Sequence, residues 1–383
     1  MSSQASSAGH GEADVRRKIA ETGDVDVMIS IRSNFFYTRT VPCELWFFDK
    51  GKPKERRDQV LMLDARHVYR KVTRKSYDFS PEQLANLTAV VWLYRGERAR
   101  FIELLLRYRQ ECGMRLAQFH HGLQPLISGE AKGHLSFLLA CIHKAAAMYL
   151  APETPREKKD ALDAAHTRLV ERLDALLAEA ASIAGTLEAH RESLDHDGAG
   201  LPEHGEDYAL GRVQCSVTRL DALTPLTHAL ARDVETFWKE LGAALDQTEA
   251  LLDPGFRANW RKADEWAVRR RQQAAAWAFA EAPRAEGEMR YFQRQLHWLL
   301  HRFPEARFAA VPGLCCVVTR AQIEAADWSL TPGRYVGVAA AEVDEDFDFE
   351  QTMRDIHSEL KELNGDAVAL AGKIERNFEK LAL

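Results

Sequence analysis

No run of about 18 apolar residues occurs in the chain, and its opening, MSSQASSAGHGEAD, contains no apolar signal core. Neither a membrane span nor a secretory leader is expected, and the reading is of a cytoplasmic protein. Cysteine is sparse: Cys43, Cys112, Cys141, Cys215, Cys315 and Cys316 lie scattered without Cys-x-x-Cys spacing. That excludes a disulfide scaffold or zinc ribbon and points to reduced, buried thiols. The adjacent pair Cys315–Cys316 sits in an apolar stretch and reads as core. Excess positive charge is also missing, with Lys+Arg 51 against Asp+Glu 57 and a net charge of −6. A histone-like binder held by charge alone is thereby excluded. A DNA enzyme whose partner subunit makes most of the contacts is not. His120-His121 and Asp195-His196-Asp197 have no third ligand at fixed spacing, so no metal is expected.

What is present is enough chain, 383 residues, for two or three compact units. After a loop-like start, DVRRKIAET has helical charge spacing and stops at Gly23. Val25–Ile31 (VDVMISI) is mostly apolar and β-branched, which predicts a strand buried on both faces. VPCELWFF, residues 41–48, and QVLMLD, residues 59–64, predict two more strands, separated by the basic turn DKGKPKERRD. One helix and three strands in about 65 residues make the edge of an α/β sheet rather than a whole one.

Helical pattern then takes over. Ser80-Pro81-Glu82 supplies an N-cap, a first-turn proline and an early acid. Between 156 and 194, Leu162, His166, Leu169, Leu173, Leu176, Ala180, Ile183 and Leu187 recur at steps of four and three, a heptad seam. The Gly/Asp-rich stretch 196–202 predicts a linker. A second helical block follows, carrying Trp238, Trp260, Trp266 and Trp277 as expected core and Arg269-Arg270-Arg271 as a solvated face. VPGLCCVVT, residues 311–319, predicts a short strand before LTPGRYVG, residues 330–337, and an acidic stretch. The last helix places Phe349, Met353, Ile356, Leu360, Leu363, Leu370 and Ile374 on one apolar stripe. Such a stripe is unstable alone in water and needs a partner helix, from this chain or from another.

Three segments carry a family resemblance. Residues 25–50 with LMLDAR at 61–66 hold, in order, a strand, an aromatic loop, Thr40-Val41-Pro42, Leu45-Trp46-Phe47-Phe48 and Asp64-Ala65-Arg66. SPEQLANLTAVVWLYRG follows, and LTPGRYVG with its acidic follow-on and terminal helix closes the set. In this order they resemble the C-terminal part of the methylation subunit of type I restriction–modification systems, a family of adenine-N6 DNA methyltransferases. Residues 111–310 match no family motif. The resemblance implies a fold with five parts. The C-terminal strands of a methyltransferase-type Rossmann-like sheet occupy 1–79, helical regions 80–195 and 196–310, a short strand with LTPGRYVG 311–348, and a coiled-coil docking helix 349–383.

The resemblance also implies methyl transfer from S-adenosylmethionine to adenine N6 in DNA. It implies a specificity subunit gripped by the terminal helix, DNA within the complex, and a restriction subunit as a further partner. The family's glycine-rich cofactor loop and Asn-Pro-Pro-Phe tetrad have no counterpart here, since no Pro-Pro or Asn-Pro occurs in the sequence. The expectation is a chain that begins inside the catalytic domain and is inactive alone, with no catalytic or cofactor-binding residue of its own. A flipped target base needs an aromatic face to rest on, and Phe36 matches that family position, with Phe35 and Tyr37 as neighbours. Arg32 and Arg39 flank the loop as candidate phosphate contacts. The competing reading is a non-enzymatic helical adaptor.

Overall fold

The computed structural model describes residues 3–9, 11–36, 40–73, 76–195, 205–255, 281–338 and 370. Two short helices, α1 (Ser3–Ser7) and α2 (Gly11–Glu21), precede strand β1 (Val25–Ile31). Strands β2 (Cys43–Phe48) and β3 (Gln59–Asp64) follow, then a hairpin of β4 (Arg70–Thr73) and β5 (Ser76–Asp78). The helices are α3 (Pro81–Arg95), α4 (Arg98–Ile127), α5 (Glu130–Met148), α6 (Arg156–Asp195), α7 (Glu206–Leu251) and α8 (Glu281–Arg302). The chain then returns to the sheet as β6 (Cys315–Thr319) and turns through α9 (Arg320–Ala325) into a 3-10 turn at Pro332–Arg334. Among the described residues no helix is long and apolar enough to cross a membrane.

The main sheet is mixed, in the order β2-β1-β3-β6. Strands β1 and β3 run parallel, with Val27 opposite Leu61 and Ser30 opposite Asp64, while β2 and β6 run antiparallel at the two edges. Both faces are covered, as the mostly apolar run of β1 requires. On one face Val27, Leu61 and Leu63 join the core of α3 and the long helices. On the other, Met28, Met62 and Val318 pack with Ile323, Leu330 and Val336, and Trp46 closes the side. Cys315 is buried in the first core and Cys316 leans on the second. The edge strand β2 has one strand neighbour among the described residues, and its Phe47 remains 46% exposed over an apolar cavity of about 240 Å³ against α3.

Each helix boundary has a local cause. Ser80 accepts from the Gln83 amide while the Gln83 side chain takes the Ser80 N–H, a reciprocal cap that starts α3. Gly96, at φ 78°, ends the helix in the left-handed conformation that glycine adopts without strain. The seam of α6 is buried from Leu162 to Leu187, with His166 at its half-exposed margin beside His143. It packs on α4, α5 and α7 within this chain. Helices on both sides of residue 200 share that one core, and Asn86–Gln295 and Arg109–Ser216 hydrogen bonds tie α3 to α8 and α4 to α7. Trp238 packs half-buried against it. Trp260, Trp266, Trp277, Arg269 to Arg271 and Asp195-His196-Asp197's last two residues lie outside the described residues. So does the expected docking helix with Phe349, Met353, Ile356, Leu360, Leu363 and Ile374; only Leu370 is described there, helical and exposed.

Candidate nucleic-acid interface

Because β1 and β3 are parallel, their carboxyl ends emerge on one edge of the sheet, the edge where open α/β sheets bind ligands. The loop leaving β1 begins at Arg32. Asn34 then takes φ 62°, a left-handed turn that asparagine tolerates better than most residues. Its carbonyl accepts from the Tyr77 amide, hooking the loop onto β5. The next two residues divide their roles. Phe35 packs on Phe79 with ring centroids 4.4 Å apart, and Phe36, edge-on to Phe35 at 6.2 Å, stays 44% exposed. Phe36, the residue that the sequence offers as an aromatic face, is thus exposed beside a buttressed neighbour. Arg39 and Tyr37 lie outside the described residues.

Arg32 is held by two tyrosines of the hairpin region. Its guanidinium carbon lies 4.0 Å from the Tyr69 ring centre and 3.9 Å from that of Tyr77, and those rings meet at 5.1 Å, nearly perpendicular. Cation–π attraction and the two walls fix its position. Sequence reasoning missed both tyrosines. Their signal is an aromatic at each end of YRKVTRKSY, flanking two short runs that a turn separates.

A second cluster closes the same edge. Asp64 at the end of β3 grips Arg66 through both carboxylate oxygens, at 2.9 and 2.5 Å. Gly333 lies directly on this pair, and the Pro332–Arg334 turn covers the carboxyl ends of β1 and β3. Beside it Glu44, buried on β2, receives the Ser30 hydroxyl at 3.4 Å. Burial raises the Glu44 carboxyl to about 7, while the Thr331 and Ser30 hydroxyls and the Arg66 charge hold it back. At the opposite end of β1, fully buried Asp26 meets Arg95 at 2.6 Å, Arg56 at 3.3 Å and Lys52 at 3.6 Å. A lone carboxylate inside an apolar strand is the sequence signal for such a cluster, because a buried charge must be paired.

His120 pairs with Glu188 at 3.3 Å and hydrogen-bonds Gln124. No group of three or more His, Cys, Asp or Glu side chains is arranged to hold a metal among the described residues.

Residues 1–103 match the family model described as N-6 DNA Methylase. Over 87 residues the chain is 29% identical to the protein named "Type I restriction enzyme MjaIX methylase subunit" of Methanocaldococcus jannaschii. That stretch is 23% of this chain and spans 16% of the length of that relative.

Proposed function

We propose, from the match of residues 1–103 to the N-6 DNA Methylase family model, that this chain is the DNA-facing, C-terminal portion of a type I adenine-N6 methyltransferase. The observation that carries the reading is Phe36, exposed at the carboxyl edge of the parallel strands on a neighbour locked against Phe79. A flipped adenine stacks there, a contact worth about 1–3 kcal/mol per base.

The methyl donor of this family is S-adenosylmethionine, and the described residues do not fit it. The carboxyl ends of β1 and β3, where a nucleoside would lie, are covered by the Asp64–Arg66 pair and the Pro332–Arg334 turn. Neither strand runs through a glycine turn into a helix: β1 leads through Arg32 and Asn34 to antiparallel β2, and β3 through Arg66 to the hairpin. Among the described residues β2 has one strand neighbour, and its half-exposed Phe47 supports a sheet continued by strands that carry the cofactor loop and the Asn-Pro-Pro-Phe tetrad. On this reading the chain alone holds neither donor nor catalytic residue.

Titration calorimetry of the chain with S-adenosylmethionine tests this. No heat of binding is expected, and micromolar affinity would overturn it. We assign the heptad stripe from Phe349 to Ile374 to docking on the specificity subunit. Deleting residues 349–383 then abolishes co-purification with that subunit. An undiminished complex would instead assign that helix to this chain's own core.

A further inference from the structure

Between Asp64 and Asp78 the chain carries five cationic side chains and no carboxylate, in a protein whose net charge is −6. The structure sorts the described ones. Arg66 is neutralised by Asp64, and Arg70 is gripped by Asp78 through two hydrogen bonds at 2.9 and 2.7 Å. Lys71 stands on exposed β4 and forms no ion pair among the described residues. Arg32, packed in the angle of Tyr69 and Tyr77, also meets no carboxylate among them, and its Nε makes no hydrogen bond. Two tied cations thus lie near two untied ones, and the untied Arg32 is positioned by aromatic walls rather than by an acid.

We propose that Arg32 and the β4–β5 hairpin form a phosphate-binding corner for the nucleic-acid backbone beside the base that Phe36 receives. The inference rests on the DNA-methylase reading above and adds to it the element that holds the strand. A planar guanidinium donates two parallel N–H bonds to a phosphate, which an ammonium cannot do. Tyr69 and Tyr77 are positioning residues: they fix the fork without consuming its donors, so little side-chain freedom is lost on binding. Lys71 adds a point charge along the same hairpin. Asn34 and Tyr77, joined through their backbones, make the corner and the Phe36 loop one unit.

The test is fluorescence anisotropy of the full chain with a labelled duplex across a sodium chloride series. Arg32→Gln weakens binding and reduces the slope of log K against log salt by about 0.9, the value for one phosphate contact. The gap between wild type and variant therefore narrows by about threefold from roughly 50 to 200 mM salt. Arg32→Lys keeps the charge and recovers the slope but only part of the affinity. Tyr69→Phe with Tyr77→Phe preserves both rings and binds like wild type. Tyr69→Leu with Tyr77→Leu loses affinity although Arg32 remains.

Arg32→Gln and Lys71→Gln proteins that match wild type in affinity and slope would refute the corner. If Phe36→Ala still weakens binding in that case, the base-stacking reading survives alone. A wild-type chain that fails to bind the duplex removes both. Should inorganic phosphate bind through Arg32 while duplex affinity ignores the substitution, the corner serves free phosphate and the inference is wrong.

Discussion

Gly333 approaches Arg66 so closely that a methyl group built on its Cα would stand 2.5 Å from the guanidinium Nη2. The same methyl would lie 3.2 Å from Asp64 Oδ2, so it meets both halves of an ion pair that anchors the end of β3. A side chain at this position would push the Arg66 guanidinium aside and loosen its grip on Asp64 as the LTPGRYVG segment closes on the sheet. Gly333→Val is expected to cost about 1–3 kcal/mol by overpacking and to lower the thermal midpoint. In combination with Arg66→Ala, which vacates the space, the penalties should fall short of their sum by at least about 0.5 kcal/mol. Strict additivity in that double-mutant cycle would show that the contact carries no energy.

Glu44 gives the same edge a pH dependence. Its carboxyl ionises near 4.5 in the unfolded chain and at about 7 when buried between β1 and the Thr331 segment. Between those values the folded protein binds the proton that the unfolded chain has released, so stability from this group falls as pH rises. Below about 4.5 both states are protonated and no penalty exists; above about 7 the full penalty applies. Glu44→Gln should therefore be more stable than wild type at pH 8, by up to about 3 kcal/mol. The advantage should vanish at pH 4. Parallel thermal melts at the two pH values decide it, and an advantage that does not change with pH would exclude ionisation as its cause.

Much of this edge was legible in the sequence and part of it was not. The strands at 25–31, 43–48 and 59–64 follow from their apolar, β-branched runs, and Ser80-Pro81 marks the start of α3 within one residue. The strand at 315–319 was expected as well, but periodicity carries no information about pairing partners. That Val317 lies opposite Leu61, at the far end of a helical bundle in sequence, is a property of the fold. The β4–β5 hairpin escaped because Arg70–Thr73 is exposed throughout and shows no apolar alternation. The α6 seam was visible, yet heptad spacing could not tell an internal partner from an external one; α4, α5 and α7 supply it here. Helix α7 continues through Pro225 across 46 residues, where local rules would have ended it.

Asp26 is the most consequential residue that pattern alone undervalued. Its side chain and that of Lys52 are fully buried, with Arg56 and Arg95 completing the ring of positive charge. Burial pushes the Lys52 ammonium below its ordinary value, and Asp26 is what opposes this. Replacing Asp26 with Asn keeps the volume but leaves three cations facing a neutral group. A loss of about 3–5 kcal/mol is expected, the usual result of stripping one partner from a buried pair. Lys52→Met in the same background should restore a measurable part of it, because the most buried orphan charge is then gone. Denaturant unfolding of the single and double variants gives the comparison. A single variant within about 0.5 kcal/mol of wild type would mean that water reaches the site and screens it.

Phe35 and Phe36 are adjacent in sequence and should be opposite in consequence. Phe35 is half-buried on Phe79 and holds the loop to the start of α3, whereas Phe36 projects outward with nearly half its surface exposed. Truncating Phe35 to Ala removes packed ring area and should destabilise the chain by about 1–3 kcal/mol, less than a full core deletion because the site is only partly enclosed. Truncating Phe36 should change stability by no more than about 0.5 kcal/mol, as expected for an exposed side chain away from structural features. Its effect should fall on the nucleic acid. On the proposed function, the chain assembled with its partner subunits should quench 2-aminopurine placed at the target adenine through ring stacking. Phe36→Ala should leave it brighter and bound about 5- to 150-fold more weakly, the equivalent of 1–3 kcal/mol. If instead Phe36→Ala unfolds the loop and Phe35→Ala abolishes quenching, the two rings have exchanged roles, and the exposed edge beside Arg32 is not where the base rests.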